Sequence, residues 1–173
     1  MKKPELLSPA GDPEKLRAVL SYGADAVYLA GKSYGMRSAS ANFTEEELAF
    51  AVSYAHSLGR RVYVTVNTMP RDREYAPLRD YIRYLSKIGA DAVIVADIGV
   101  LSLVRDVAPE LEIHLSTQAS AVSSYACRAW HALGVRRIVL ARELTLREII
   151  EIRKNTPPEL ELEVFIHGAM CIA

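Results

Sequence analysis

The sequence predicts an α/β protein: the N-terminal seven parallel β/α units of a TIM-type (β/α) barrel, incomplete by one unit. Three observations carry this reading. Short β-branched runs alternate with amphipathic helical stretches, the pattern of a parallel sheet covered by its crossover helices. A glycine precedes four of the runs, at Gly23, Gly59, Gly89 and Gly134, where a helix must stop. The runs lie near Leu6, Val27, Val64, Ile94, Ile113, Val139 and Val164, a spacing of roughly 26 residues that suits a barrel of eight units. A complete barrel takes about 250 residues. The 173 residues are therefore expected to form a single partial barrel domain, 1–173, with no linker or second domain.

Each element has a local reason. After the first run, Asp12 followed by Pro13 marks an N-cap with proline at the first helical position. Ala26 to Leu29 forms the second strand. Thr44 and Glu47 then have the spacing of a capping box, and Phe43 and Leu48 that of a hydrophobic staple. They open a helix reaching about Leu58, with Leu48, Val52 and Ala55 on one stripe. Val62 to Val66 is the third strand, and the helix from about Tyr75 to Ile88 aligns Leu78, Ile82 and Leu85. Ala92 to Val95 and Ile113 to Leu115 supply the fourth and fifth strands. In the helix after the fifth, Cys127 and Trp130 share a stripe and read as core. Ile138 to Leu140 is the sixth strand, after which Thr145 with Glu148 and Leu144 with Ile149 repeat the capping box and staple. The last run surrounds Val164.

Composition narrows the function. Twenty-one basic and 21 acidic side chains cancel, and half the residues are hydrophobic, as in a soluble globular domain. No apolar run approaches the ~20 residues of a membrane span, and Met1-Lys2-Lys3 leads directly into a strand, so a cytoplasmic location is expected. A net charge of zero gives no general attraction for nucleic acid. The arginines at Arg60-Arg61, Arg71/Arg73 and Arg136-Arg137 are expected to be solvated. Cys127 and Cys171 are the only cysteines and lie far apart, which fits a reducing compartment better than a disulfide framework.

In a β/α barrel the chemistry sits on loops at the C-terminal ends of the strands. That rule selects Ser8, Lys32, Arg37, Asn67, Asp97, Ser116, Thr117, Gln118, Arg142, Glu143, His167 and Cys171. Together they could bind an anion and move protons. Asp97 has the competing role of helix cap, Thr117 and Gln118 that of satisfying loop backbone, and Arg142-Glu143 that of a surface ion pair. His167 is equally readable as a hydrogen-bonded core histidine, and His114, inside its strand, as structural. Gly31-Lys32-Ser33 has the end of a phosphate-binding loop, but the glycine required five residues before Gly31 is replaced by Ala26. No His-Glu-x-x-His occurs.

Longer stretches are recognisable as text. Pro4-Glu5-Leu6-Leu7-Ser8-Pro9-Ala10-Gly11, Tyr22-Gly23-Ala24-Asp25-Ala26-Val27-Tyr28 and His114-Leu115-Ser116-Thr117-Gln118-Ala119 resemble the collagenase-like peptidase family U32. Ala141-Arg142-Glu143-Leu144-Thr145 and Glu163 to Cys171 resemble its two later signatures, so the likeness spans essentially the whole chain in order.

The resemblance implies more than the residues alone. The opening and the His114 to Val122 stretch look most like the bacterial group that hydroxylates the wobble uridine of tRNA, with tRNA and prephenate as partners. Cys171 matches the first cysteine that binds a 4Fe–4S cluster in that group, and a cysteine-rich continuation after residue 173 is implied. Four thiolates hold such a cluster, so none is expected in this chain. Asn67, Gln118, Arg142, Glu143 and His167 carry over as site residues by strand-end position within the matching motifs. Two other functions compete. A metal- or cysteine-dependent peptidase would cleave gelatin, and a non-catalytic barrel fragment would self-assemble into a homo-oligomer through open sheet edges without turnover.

Overall fold

The computed structural model describes residues 3–35 and 42–168. The chain divides into two compact units, Met1–Glu112 and Ile113–Ala173. The first holds β1 (Leu7–Pro9), α1 (Pro13–Ser21), β2 (Ala26–Ala30), α2 (Glu45–Ser57), β3 (Arg61–Val66), α3 (Tyr75–Lys87), β4 (Ala92–Val95) and α4 (Ile98–Val107). Its strands pair in parallel in chain order. One row of the register runs Pro9, Tyr28, Tyr63, Ala92 and another runs Leu7, Ala26, Arg61.

On the face carrying those rows, Ala26, Tyr63, Ala92 and Ile94 form a buried cluster, against which Leu7 and Tyr28 pack. The alternate residues Val27, Val62, Val64 and Val93 are completely buried as well. Strands covered on both faces are what parallel crossover connections produce, and they explain the continuous apolar runs. Leu78, Ile82 and Leu85 of α3 lose all exposure, each burial worth about 1.5–3 kcal/mol.

Helix boundaries follow the capping chemistry. Asp12 accepts from the Lys15 amide at the start of α1, with Pro13 in the first helical position. The Thr44–Glu47 capping box is complete, with Glu47 N–H donating to Thr44 Oγ1 at 3.2 Å and Thr44 N–H to Glu47 Oε2 at 2.8 Å. Gly23, Gly59, Gly89 and Gly134 all have positive φ, from 66° to 98°, as helix-stopping glycines require.

The second unit contains β5 (Glu112–Leu115, which begins on the last residue of the first unit), α5 (Ser124–Ala132), β6 (Arg137–Val139), α6 (Leu146–Lys154) and β7 (Glu161–Glu163). The strands β5, β6 and β7 pair in parallel, placing His114, Arg137 and Glu161 in one row and Val139 beside Glu163. The Thr145–Glu148 capping box opens α6.

The first strand lies next to Leu6 as expected, and the Leu6 amide is taken by the Asp25 carboxylate at 3.0 Å. Three local expectations need correction. The seventh strand ends before Val164, which is 43% exposed: the paired residues are Glu161-Leu162-Glu163, held there by the arginine on the adjoining strand. That arginine, Arg137, is not solvated. Its side chain is only 6% exposed, and Nε and Nη2 donate to Glu161 Oε2 at 2.8 and 2.6 Å, while Nη1 lies 3.6 Å from Glu163 Oε2. Finally, Cys127 is fully buried as expected, but Trp130 is only half-buried. Burial pushes the Cys127 thiol pKa up, keeping it protonated.

Candidate functional site

In the first unit the strand-end residues split between structural duty and exposure. Asp97 caps α4, accepting from the Val100 amide at 2.9 Å and from the Tyr75 hydroxyl at 3.2 Å. Its helix-capping role is therefore real. Burial, followed by the Asp97 charge, pushes the Tyr75 hydroxyl pKa up and keeps it a donor. Asn67 is half-buried directly after β3, and Lys32 is exposed after β2. Arg37 lies outside the described residues.

The loop after β2 is anchored by a bridge between Gly31 and Phe43, with Lys32 N–H donating to Phe43 O and Phe43 N–H to Ala30 O, both at 3.0 Å. Gly31 has a packing reason to be glycine, since a Cβ there would collide with the Tyr81 hydroxyl and crowd Leu48. This accounts for the glycine of Gly31-Lys32-Ser33 without a phosphate. Tyr34 follows in a left-handed conformation (φ 62°), its ring centroid 5.3 Å from that of Tyr81.

In the second unit the strand ends are tied to one another. After β5, Ser116 Oγ accepts from the Gln118 amide at 3.3 Å and lies 3.2 Å from Gln118 Oε1, so Gln118 is drawn into its own turn. Thr117 Oγ1 donates to Leu140 O at 3.3 Å, and the Ala141 amide donates to Ala121 O at 3.2 Å. The β5 loop is thus fastened to the two residues that precede Arg142. On the other side, Leu140 N–H donates to Glu163 O at 2.9 Å, holding the ends of β6 and β7 level.

Arg142 emerges between these ties. It is half-buried, and its guanidinium carbon lies 4.1 Å from the centroid of the Phe165 ring, two residues beyond β7. Glu143 is exposed, so the adjacent acid and base occupy different surroundings. His167 is exposed too: with β7 ending at Glu163, it stands four residues into the following loop and is not a core histidine. His114 is completely buried inside β5, as expected of a structural residue. Cys171 lies outside the described residues. The structure therefore brings Gln118 and Arg142 to connected strand-end loops of one unit, and places Asn67 in the other unit.

Phe165 was not singled out from the sequence. The available signal was an aromatic side chain in the loop after one strand, facing an arginine in the loop after the strand before it.

A family model describing peptidase family U32 matches residues 11–173. The chain belongs to peptidase family U32. Among its relatives, "tRNA hydroxylation protein P" of Escherichia coli is 45% identical over 176 residues, covering 100% of this chain and 38% of that protein. "tRNA hydroxylation protein P1" of Bacillus subtilis is 45% identical over 172 residues, covering 99% of this chain and 40% of that protein. The U32 chain thus spans about two fifths of the length of these curated relatives. The solved structure of the U32 peptidase Mk0906 superposes with a TM-score of 0.76 at 19% identity, covering 95% of this chain and 70% of that one. At that identity the likeness speaks for the fold, and it agrees with the TIM-type reading of seven parallel β/α units.

Proposed function

We propose that the intact protein containing this chain is an RNA-modifying hydroxylase acting on the wobble uridine of tRNA, with prephenate as the implied oxygen-donor partner. The observation that carries this is the 45% identity, across the whole chain, to proteins named for tRNA hydroxylation. The site supports it in kind. A half-buried arginine at a strand end, its strand tied to the loop after β5, is of the residue type that pairs with oxyanions. Asn67, Glu143 and His167 are proposed as further site residues on strand-end position alone. No described helix is long and apolar enough to cross a membrane, in keeping with action on tRNA.

Among the described residues no group of three or more His, Cys, Asp or Glu side chains could hold a metal ion, and the one cysteine there, Cys127, is buried in a helix. The described residues thus do not fit a 4Fe–4S cluster, which takes four thiolates. Cys171 is proposed as a ligand only in the intact protein.

The test is nucleoside analysis of host tRNA. Deleting the gene should abolish hydroxylated uridine, and the full-length gene should restore it while an Arg142→Lys version should not. Unchanged hydroxyuridine in the deletion strain would overturn the reading.

A further inference from the structure

We propose that Asp97 is a specificity-determining residue whose second carboxylate oxygen, Oδ2, accepts a hydrogen bond from the nucleoside to be modified; that this nucleoside is a uridine rests on the proposed function. Asp97 stands two residues beyond the end of β4, on the strand-end side where barrel chemistry sits. Its Oδ1 is used twice, accepting from the Val100 amide at 2.9 Å and from the Tyr75 hydroxyl at 3.2 Å. Among the described residues Oδ2 has no partner. Asp97 is half-buried, so an acceptor there is only partly hydrated, and a ligand N–H or O–H is the group that completes it.

Capping alone needs less than this. Asp12 caps α1 with one oxygen on the Lys15 amide at 2.8 Å, and its other oxygen is taken by the Lys15 ammonium at 2.6 Å. Among the described residues Asp97 meets no such cation. It has the Tyr75 hydroxyl instead, which reaches it only because residue 99 is glycine: a Cβ at Gly99 would collide with that hydroxyl and stand 3.0 Å from Asp97 Oδ1. Glycine is a poor helix former, so the first turn of α4 gives up helix propensity to keep a hydroxyl on a carboxylate that already serves as a cap. Two donors on Oδ1 fix the plane of the carboxylate, and with it the direction in which Oδ2 is offered.

The neighbouring strand end adds an unmet group. Thr68 and Asp97 occupy corresponding positions, each two residues past the paired Val66 of β3 and Val95 of β4. The Thr68 hydroxyl oxygen is buried with no hydrogen-bond partner. A hydroxyl both donates and accepts, so the two adjoining strand ends offer an anionic acceptor and a neutral donor. A uracil edge, with its imide N–H between two carbonyls, or a ribose hydroxyl can use that set.

Asp97→Asn isolates the role, because asparagine is as good an N-cap as aspartate but puts an NH2 donor where Oδ2 was. Full-length wild type and variant are titrated with an anticodon stem-loop RNA carrying uridine at the wobble position. The same RNA is also made with 3-methyluridine there, which lacks the imide N–H, and with 2′-deoxyuridine, which lacks the ribose hydroxyl. Asp97→Asn should weaken binding of the uridine RNA at least about tenfold at nearly unchanged Tm. That penalty should vanish on one modified RNA: its loss with 3-methyluridine assigns the base, and with 2′-deoxyuridine the ribose. Tyr75→Phe leaves the cap in place but frees the carboxylate plane, and should show a smaller penalty with the same dependence on the modified RNA. An equal penalty on all three RNAs in either variant, or tight binding of the uridine RNA by both, would overturn the proposal and leave Asp97 a cap. The hydroxylase reading fails separately: if hydroxyuridine persists in the deletion strain while the binding differences hold, Asp97 stands as a reader of the nucleoside and the reaction assigned to the protein does not.

Discussion

Removing Arg137 should damage the fold more than removing any exposed arginine. Its guanidinium is all but enclosed at the start of β6 and serves two carboxylates, Glu161 through two hydrogen bonds and Glu163 at 3.6 Å. Arg137→Met keeps much of the volume but leaves Glu163, 18% exposed, without that cation, and breaking a buried pair in this way costs about 3–5 kcal/mol. Glu161 is 40% exposed, so water screens its share and the lower end applies, about 3 kcal/mol. For a protein of this size that corresponds to a fall in Tm of about 6–12 °C. Urea unfolding of Arg137→Met would measure it. A second variant checks the cause. Replacing all three charges, as Arg137→Met with Glu161→Leu and Glu163→Leu, should recover most of the loss, because an apolar cluster avoids the desolvation that the ions endure. A loss below about 1 kcal/mol in the single variant, or no recovery in the triple, would refute the reasoning.

Three further outcomes are expected. Gly31→Ala should destabilise by about 1–3 kcal/mol through overpacking against the Tyr81 hydroxyl, and Tyr81→Phe should relieve part of that cost in the double variant, as a double-mutant cycle of denaturation midpoints would show. The Asp25 carboxyl is held below its ordinary pKa, chiefly by the Leu6 amide, then by Lys3 and Arg60. Its contribution is thus present above the unfolded-state pKa and lost as pH falls through the lower folded value, so the stability gap between wild type and Asp25→Asn should narrow as pH falls from neutral to below the ordinary aspartate range in urea titrations. Anaerobic iron–sulfur reconstitution of these 173 residues should retain little iron after desalting, because only Cys127 and Cys171 are available. About four irons per chain would contradict it.

The elements were legible in the sequence wherever the signal was local. Thr44-Glu47 and Thr145-Glu148 form the capping boxes their spacing announces, and Asp12-Pro13 opens its helix, because each device is complete within four residues. Strand ends were less so. The apolar run Val164-Phe165-Ile166 looked like the seventh strand, yet the paired residues are Glu161 to Glu163. Two glutamates in a strand make sense only once Arg137 is seen one strand away, a partner 24 residues distant that no local pattern reveals. The same limit hid the contact between Arg142 and Phe165. Position at a strand end selected Arg142, but the ring it rests on is a tertiary contact.

These contacts also separate arginines that look alike in sequence. Arg61 begins β3, where Glu5 accepts from both its guanidinium and the Tyr63 hydroxyl, the latter at 2.9 Å. Arg137 begins β6 and meets Glu161, the first residue of β7. Both therefore sit where strands start, the end of a β/α barrel concerned with stability, and both are matched to carboxylates from the same unit. Arg142 lies beyond the other end of β6, past Val139, and its face is given to a ring. An aromatic face lies along the plane of the cation and restrains its orientation. The consequence is a division between observables. Changes at Arg137 should move Tm, while Arg142→Lys should abolish turnover at nearly unchanged Tm. If instead Arg142→Lys unfolded the protein as readily as Arg137→Met, the strand-end arginine would be a structural residue like the other two, and its stacking on Phe165 would be packing alone.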